Sequence, residues 1–455
     1  MAIFNARTIV FELSDLFLLL INTLTGAIDI VPKRILEGKI DSKEGDILNS
    51  RGYLIQNDDS LQLERLIKTS QEHGKHVPYW FYVLTTLNCN FACPICYEKK
   101  ILKNSQISRR VLEDVSSRIK KIQEEKNIPA DKMNLIIFGG EPLLVSSRNI
   151  LNWILETAER NNWKCVIVTN GSRVLNFMKV FERFREVISD FRITIDGPSH
   201  AHNLRRPFRG GKGSFTEVVS AVDSLLKRNF QVKVQTILGA GNADCLEELS
   251  SFIKDKGWLS LSNFQWRIEG SHDYANLDSR KDEITEAIMV KSIIELWENH
   301  PELRGKLKFE SFKYLAHLTH SFDWLGRYKT YWGPKFGFCE PQKGFHYVFS
   351  TDGRIFHCPR TINNNTFCIG EASSGFSENE AKLKSKTFME KEDCRICHIG
   401  PLCGGGCVVQ KNNYPRMDCY AYVYRLISEF VDLMKERILE RAIPDQIVSI
   451  NELWL

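Results

Sequence analysis

The sequence lacks any apolar run of membrane-spanning length. Phe17-Leu18-Leu19-Leu20-Ile21 is too short to cross a bilayer and starts too far from a basic end to act as a cleavable secretory signal. No internal repeat or low-complexity tract is present. A formal net charge of +5 over 455 residues is weak, and no dense Lys/Arg stripe with interleaved aromatics occurs. Nucleic acid and membranes are therefore not expected partners. Cysteine is the exception to this scarcity. Thirteen of them, an odd number in a long chain, argue against a disulfide framework and for a reducing cytoplasm in which thiolates are free to bind metal. With 43% hydrophobic residues the chain can bury a large core and should divide into two or three domains.

Cys89, Cys93 and Cys96 form a Cys-x3-Cys-x2-Cys cluster within Thr85-Thr86-Leu87-Asn88-Cys89-Asn90-Phe91-Ala92-Cys93-Pro94-Ile95-Cys96-Tyr97. Three thiolates can hold three irons of a cubane iron–sulfur cluster and leave the fourth open to substrate, whereas a four-thiolate site is closed. An incomplete zinc site is the plainer alternative. Some forty residues on, a strand-like run Asn134-Leu135-Ile136-Ile137-Phe138 empties into Gly139-Gly140-Glu141-Pro142. Its glycines permit close backbone approach to a ligand, and its carboxylate suits an ammonium group.

These motifs resemble the radical S-adenosylmethionine (SAM) enzymes. The resemblance implies that the open iron is chelated by the methionine half of SAM and that one electron cleaves the sulfonium to a 5′-deoxyadenosyl radical. It implies SAM contacts from Gly139, Gly140 and Glu141, from Asn170 in Val168-Thr169-Asn170-Gly171, and from Thr194 and Arg206. The last two belong to Ile193-Thr194-Ile195-Asp196-Gly197-Pro198 and Arg205-Arg206-Pro207, where Arg206 would pair with the SAM carboxylate. Asp196 and His202, in the same stretch, are either site residues or structural hydrogen-bonding residues, and for His202 the structural reading is preferred. The loop Gly210-Gly211-Lys212-Gly213-Ser214 is not a phosphate loop, because Arg206 and Gly213 stand where Gly and Ser/Thr are needed.

From residue 80 to about 270, strand-like runs alternate with helical periodicity: Trp80–Leu87, Asn134–Phe138, Lys164–Thr169, Phe191–Ile195, Gln231–Leu238 and Asn263–Ile268. A helix is predicted from Arg109 to Asn127. The alternation implies a parallel sheet with right-handed crossovers, and the resemblance makes it an α/β fold, a partial (β/α)6 barrel with functional groups at the strands' carboxyl ends. The expected layout is an N-terminal α+β module over 1–78, a radical SAM core over 79–300, a helical bridge over 301–338, a cysteine-rich domain over 339–430, and a C-terminal helix and tail over 431–455. In pattern the N-terminal module resembles the winged-helix-like leader-recognition modules of peptide-modifying relatives, with a packing extension as the alternative.

The cysteine-rich region reads Cys339-x13-Gly353-x4-Cys358, then Cys394-x2-Cys397-x5-Cys403-x3-Cys407-x11-Cys419. This resembles the SPASM domain, which carries auxiliary iron–sulfur clusters; zinc at Cys394, Cys397, Cys403 and Cys407 is the alternative. By resemblance, Cys394, Cys397, Cys403 and Cys419 ligate the outer cluster and Cys339, Cys358 and Cys407 the inner one. The inner cluster's fourth position is then open, or filled by Cys368, which sits in a segment resembling a buried strand. Cys165 and Cys245 are expected to be core thiols.

The expected activity is oxidative modification of a ribosomally made precursor peptide, a thioether first and a carbon–carbon crosslink next, with flavodoxin or ferredoxin as electron donor. Formylglycine formation on a sulfatase is the alternative. Against it, the sulfatase-maturing relatives place a further Cys shortly after the first SPASM ligand and an Asp after the second, where this chain has Glu340–Phe345 without a Cys, and Pro359. A non-enzymatic zinc scaffold is the alternative of another class. The sequence identifies no general base.

Overall fold

The computed structural model describes residues 4–54, 64, 68, 77–270, 282, 284–303, 305–309, 314–322, 339, 344–362, 364–383, 388, 391–407 and 419–451. Near the N-terminus, β1 (Thr8–Glu12), β2 (Phe17–Asn22) and β3 (Ile28–Pro32) form an antiparallel meander. The apolar run in β2 is explained by burial on both faces. Leu18 and Leu20 pack with Val31, Ile35, Leu48 and Tyr53, while Leu19 and Ile21 join the main core. The charged stretch that follows is a 3-10 turn over Lys33–Glu37 and a helix over Ser42–Ser50, whose start is fixed by a reciprocal capping box between Asp41 and Glu44. Leu54 bridges to Phe4.

The barrel strands are β4 (Tyr79–Leu84), β5 (Met133–Phe138), β6 (Lys164–Thr169), β7 (Ile188–Thr194), β8 (Val232–Leu238) and β9 (Phe264–Gly270), parallel and adjacent in chain order. The six expected runs all form. The parallel sheet is wider than six, however. β10 (Leu307–Phe309) adds beside β9, and β11 (His346–Phe349) adds beside β4, both parallel. The bridge expected to be helical over 301–338 thus contains a strand, and the cysteine-rich region supplies the other edge. From β11 the sheet continues antiparallel through β12 (Arg354–Phe356), β13 (Gly370–Glu371) and β14 (Gly375–Phe376). The C-terminal helix Cys419–Leu439 leads to β15 (Val448–Ser449), which pairs with β3 and completes a four-stranded N-terminal sheet.

Three crossover helices end in the same way. Arg109–Glu125, Arg148–Arg160 and Phe215–Lys227 are followed by Asn127, Asn162 and Asn229 at φ of 50°, 54° and 59°. The next residue in each case is apolar and buried, and donates back into the helix: Ile128 to Gln123, Trp163 to Ala158 and Phe230 to Leu225. This is a helix stop in which Asn takes the left-handed position and a hydrophobic residue seals the last turn. It aims each following strand into the sheet, so the strands' carboxyl ends gather at one end of the barrel.

Candidate active site

At that end, the loop after β4 carries Cys89, Cys93 and Cys96, all half-buried. Phe91 N–H donates to Cys89 Sγ at 3.4 Å, and Asn170 Nδ2, following β6, lies 3.9 Å from the same sulfur. Burial pushes Cys89 and Cys96 up to about 12, and the charge of Cys93 adds to both shifts, so the thiols lie within electrostatic reach of one another. Cys93 is also raised by burial, with Arg206 opposing. Three converging thiols that resist ionisation alone, with N–H donors aimed at one sulfur, fit an iron–sulfur cluster, whose irons would hold them as thiolates. Among the described residues, no three His, Cys, Asp or Glu side chains form a group that could hold a metal ion. A cubane makes no such demand, since each thiolate binds a separate iron.

The loop is pinned by the segment after β7. Phe91 and Phe208 bridge and meet edge to face at 4.9 Å, Ala92 N–H donates to Pro207 O, and Arg209 Nε donates to Cys89 O at 2.7 Å. From below, Gly140 fits only because it lacks a side chain: at φ +48° its Cβ would stand 2.2 Å from Asn88 O. Gly139 is similarly constrained, at φ +96° beside Leu84. Gly140 N–H donates to the buried carboxylate of Glu98 at 2.9 Å. Glu98 was not singled out in the sequence; its position two residues after Cys96 was the available signal.

Glu141 is fully buried, and its carboxylate is engaged by the protein itself. Oε1 accepts from Thr169 Oγ1 at 2.6 Å and Leu143 N at 2.8 Å, and Oε2 accepts from Asn170 N at 2.7 Å. Burial outweighs these donors and raises its pKa to about 7. The carboxylate expected to face a ligand ammonium also ties the turn after β5 to the end of β6. Asn170 in turn donates to Asn90 Oδ1 at 2.9 Å, linking β6 to the cysteine loop.

Thr194 closes β7 and is half-buried. Arg206 donates Nε–H to Asp196 Oδ2 at 2.7 Å, and Asp196 Oδ1 accepts from Ile237 N at 2.8 Å. Against its burial, the charges of Asp196, Cys93 and Cys96 keep the Arg206 guanidinium protonated. His202 is structural, as expected. Its Nδ1 accepts from Asp196 N at 3.2 Å, which assigns the proton to Nε2, 3.1 Å from Ser214 Oγ; that hydroxyl donates to Arg206 O at 2.6 Å. The chain His202–Ser214–Arg206 fixes the backbone from which the guanidinium reaches the thiols.

In the cysteine-rich region, Cys394 and Cys397 sit on one turn, with Cys397 N–H donating to Cys394 O at 3.2 Å. Gly400 packs so closely that its Cβ would lie 2.5 Å from Cys394 O, which folds the Cys394 turn against the one bearing Cys403. Gly404, Gly405 and Gly406, at φ 66°, 86° and 73°, form a left-handed run between the buried Cys403 and Cys407. Cys419 begins the long helix, and its side chain lies outside the described residues, as do residues 340–343. Cys339 and Cys358 are half-buried. Cys358 follows β12, and its charge, with those of Glu269 and Arg192, is felt by Tyr82 of β4, whose pKa burial pushes up to about 12.

Cys368 is not in a buried strand. It is half-buried between a 3-10 turn and β13, with Sγ 3.3 Å from Gly370 O. Cys165 is a core thiol within β6. Cys245 is not; it is half-buried at the end of a 3-10 turn, 3.8 Å from His200 Nε2. Among the described residues no helix is long and apolar enough to cross a membrane.

The sequence profile of the Radical SAM superfamily matches residues 83–253. A cysteine-type anaerobic sulfatase-maturating enzyme of Clostridium novyi is 24% identical over 349 residues, 72% of this chain and 87% of the relative. Among solved structures, anSMEcpe with bound AdoMet superposes with a TM-score of 0.59 at 16% identity, over 80% of this chain and 96% of that one. Streptococcus suis SuiB, solved with precursor peptide SuiA, gives a TM-score of 0.53 at 13% identity, over 91% of this chain and 97% of that one. The non-enzymatic zinc scaffold is thereby set aside. Residues 83–253 thus form a radical SAM domain, the unit of a superfamily that uses S-adenosylmethionine and a four-iron, four-sulfur cluster.

Proposed function

We propose that this enzyme oxidatively modifies a ribosomally made precursor peptide, forming a thioether from a Cys thiol or, next in order, a carbon–carbon crosslink. Cys89, Cys93 and Cys96 hold the SAM cluster. Gly139, Gly140, Glu141, Asn170, Thr194 and Arg206 surround SAM, and Glu141 also ties the ends of β5 and β6 together. When bound, the cluster and SAM supply the 5′-deoxyadenosyl radical that removes a hydrogen atom from the peptide. Cys394, Cys397, Cys403 and Cys419 hold an outer auxiliary cluster, and Cys339, Cys358 and Cys407 an inner one. Residues 1–78 serve as the leader-recognition module, 79–300 as the core, 301–338 as the bridge, 339–430 as the SPASM domain and 431–455 as the tail. A flavodoxin or ferredoxin supplies electrons.

The observation that carries this reading is the link from Cys358 to the barrel. Its hairpin is hydrogen-bonded to β4 through β11, and Tyr82 on β4 feels the Cys358 charge. A redox group at Cys358 would therefore adjoin the barrel that houses the radical chemistry, where an electron released after hydrogen abstraction needs an acceptor. The precursor peptide named with SuiB supports the peptide class. The sulfatase-maturating relatives favour a second reading, formylglycine formation, against which stands Pro359 directly after Cys358.

The test is anaerobic incubation of reconstituted enzyme with SAM, reductant and two peptides, a Cys-containing precursor and a sulfatase-derived Cys peptide. Loss of two hydrogens with a blocked thiol supports the thioether, and the same loss with a free thiol the carbon–carbon bond. Loss of two hydrogens together with replacement of sulfur by oxygen, in the sulfatase peptide alone, overturns both in favour of formylglycine.

A further inference from the structure

The N-terminal sheet reaches across the molecule to the loop that carries Cys394 and Cys397. Arg7, only 7% exposed, donates from Nη1 to Cys397 O and from Nη2 to Arg395 O. Thr23, fully buried, donates from Oγ1 to His398 O. Three carbonyls around one cysteine are thus held by two residues from the far end of the chain. Arg7 is itself fixed: its N–H donates to Asn5 Oδ1 at 2.8 Å, and its carbonyl accepts from Thr23 N at 2.9 Å.

The same sheet also holds the second segment. Phe11 on β1 stacks on Tyr424 at 5.4 Å, Tyr424 stacks on Tyr420 at 5.7 Å, and Tyr420 meets the His398 ring edge-on at 5.9 Å. Tyr420 directly follows Cys419. The two stretches bearing Cys394, Cys397, Cys403 and Cys419 are therefore both braced on the N-terminal sheet.

We propose that this sheet is an integral part of the outer auxiliary-cluster site. Arg7 is its positioning residue, fixing the Cys397 backbone and placing a permanent positive charge beside the thiolates. The proposal rests on assigning those four cysteines to the outer cluster. A guanidinium cannot lose its charge near neutral pH and donates two parallel hydrogen bonds to the two carbonyls. A fixed cation beside an anionic cluster favours the reduced, more negative form and so raises its potential, since potential follows local charge and hydrogen bonding.

The experiment uses the full chain with Cys89, Cys93 and Cys96 replaced by Ala, so that only auxiliary clusters remain. Arg7→Met, Arg7→Lys and Thr23→Val are added separately, and each protein is followed by EPR-monitored redox titration and by iron release to EDTA. Arg7→Met should shift one auxiliary signal to a more negative potential and speed iron release. Arg7→Lys should restore most of the potential, and Thr23→Val should speed release without moving it. A folded Arg7→Met protein with unchanged potential and release overturns the proposal. Should Arg7→Met not fold, Thr23→Val decides, and unchanged release overturns it. Zinc in place of the outer iron in the parent protein overturns the cysteine assignment itself, and the proposal with it.

Discussion

Glu141 Oε2 accepts a 2.7 Å hydrogen bond from the main-chain N–H of Asn170, so the carboxylate after β5 positions the side chain that reaches the Cys89 sulfur after β6. The GGEP glutamate thereby reaches the cysteine loop through the geometry of the next strand.

Glu141→Gln should damage this arrangement. An amide nitrogen in place of either oxygen faces a donor, and a buried unmet donor costs about 1–3 kcal/mol. Thermal unfolding should show that loss, and deoxyadenosine formation should fall about five- to 150-fold by the conversion of about 1.4 kcal/mol per decade. Unchanged deoxyadenosine formation at full stability would show that Asn170 keeps its place without the carboxylate.

Gly140→Ala should abolish cluster binding at the first site. A Cβ would meet Asn88 O at 2.2 Å on a backbone at φ +48°, and the left-handed conformation alone costs of order 1–3 kcal/mol for a non-glycine residue. Asn88 precedes Cys89, so the displaced segment is the ligand loop itself. Iron analysis after reconstitution should show about four irons fewer than wild type.

His202 should make stability fall in acid. Burial lowers its pKa from 6.5 to about 4 in the folded protein, so between those values the unfolded chain binds the proton more readily. The stabilisation is present above pH 6.5 and is lost as pH falls through 4, about 3 kcal/mol in all. Urea unfolding of wild type and His202→Gln at pH 7 and pH 5 tests this, since cluster acid-lability is common to both. Equal pH slopes would rule out His202 as the source.

Cys368→Ser should leave the auxiliary iron count unchanged, because the thiol is directed at Gly370 O beside β13. Cys358→Ser should cost about four irons. Equal loss from both variants would make Cys368 the fourth ligand of the inner cluster.

The strand runs, the Cys-x3-Cys-x2-Cys spacing and the Gly-Gly-Glu-Pro turn were legible because each is written in neighbouring residues: branched apolar runs, close thiols, glycines where a backbone must approach. The sequence by itself therefore determined the barrel strands and the radical SAM domain. Only the tertiary structure decided what depends on distant partners. β10 spans Leu307–Phe309, too short to show a period, and exists because β9 offers an open edge. β11 belongs in sequence to the cysteine-rich region but finds its hydrogen bonds on β4. Glu141 was legible as a site residue but not as one engaged from within, since Thr169 lies 28 positions away. Arg7 gave no signal at all, because the carbonyls it holds are 388 and 390 residues distant, and backbone acceptors are identical at every position of a sequence.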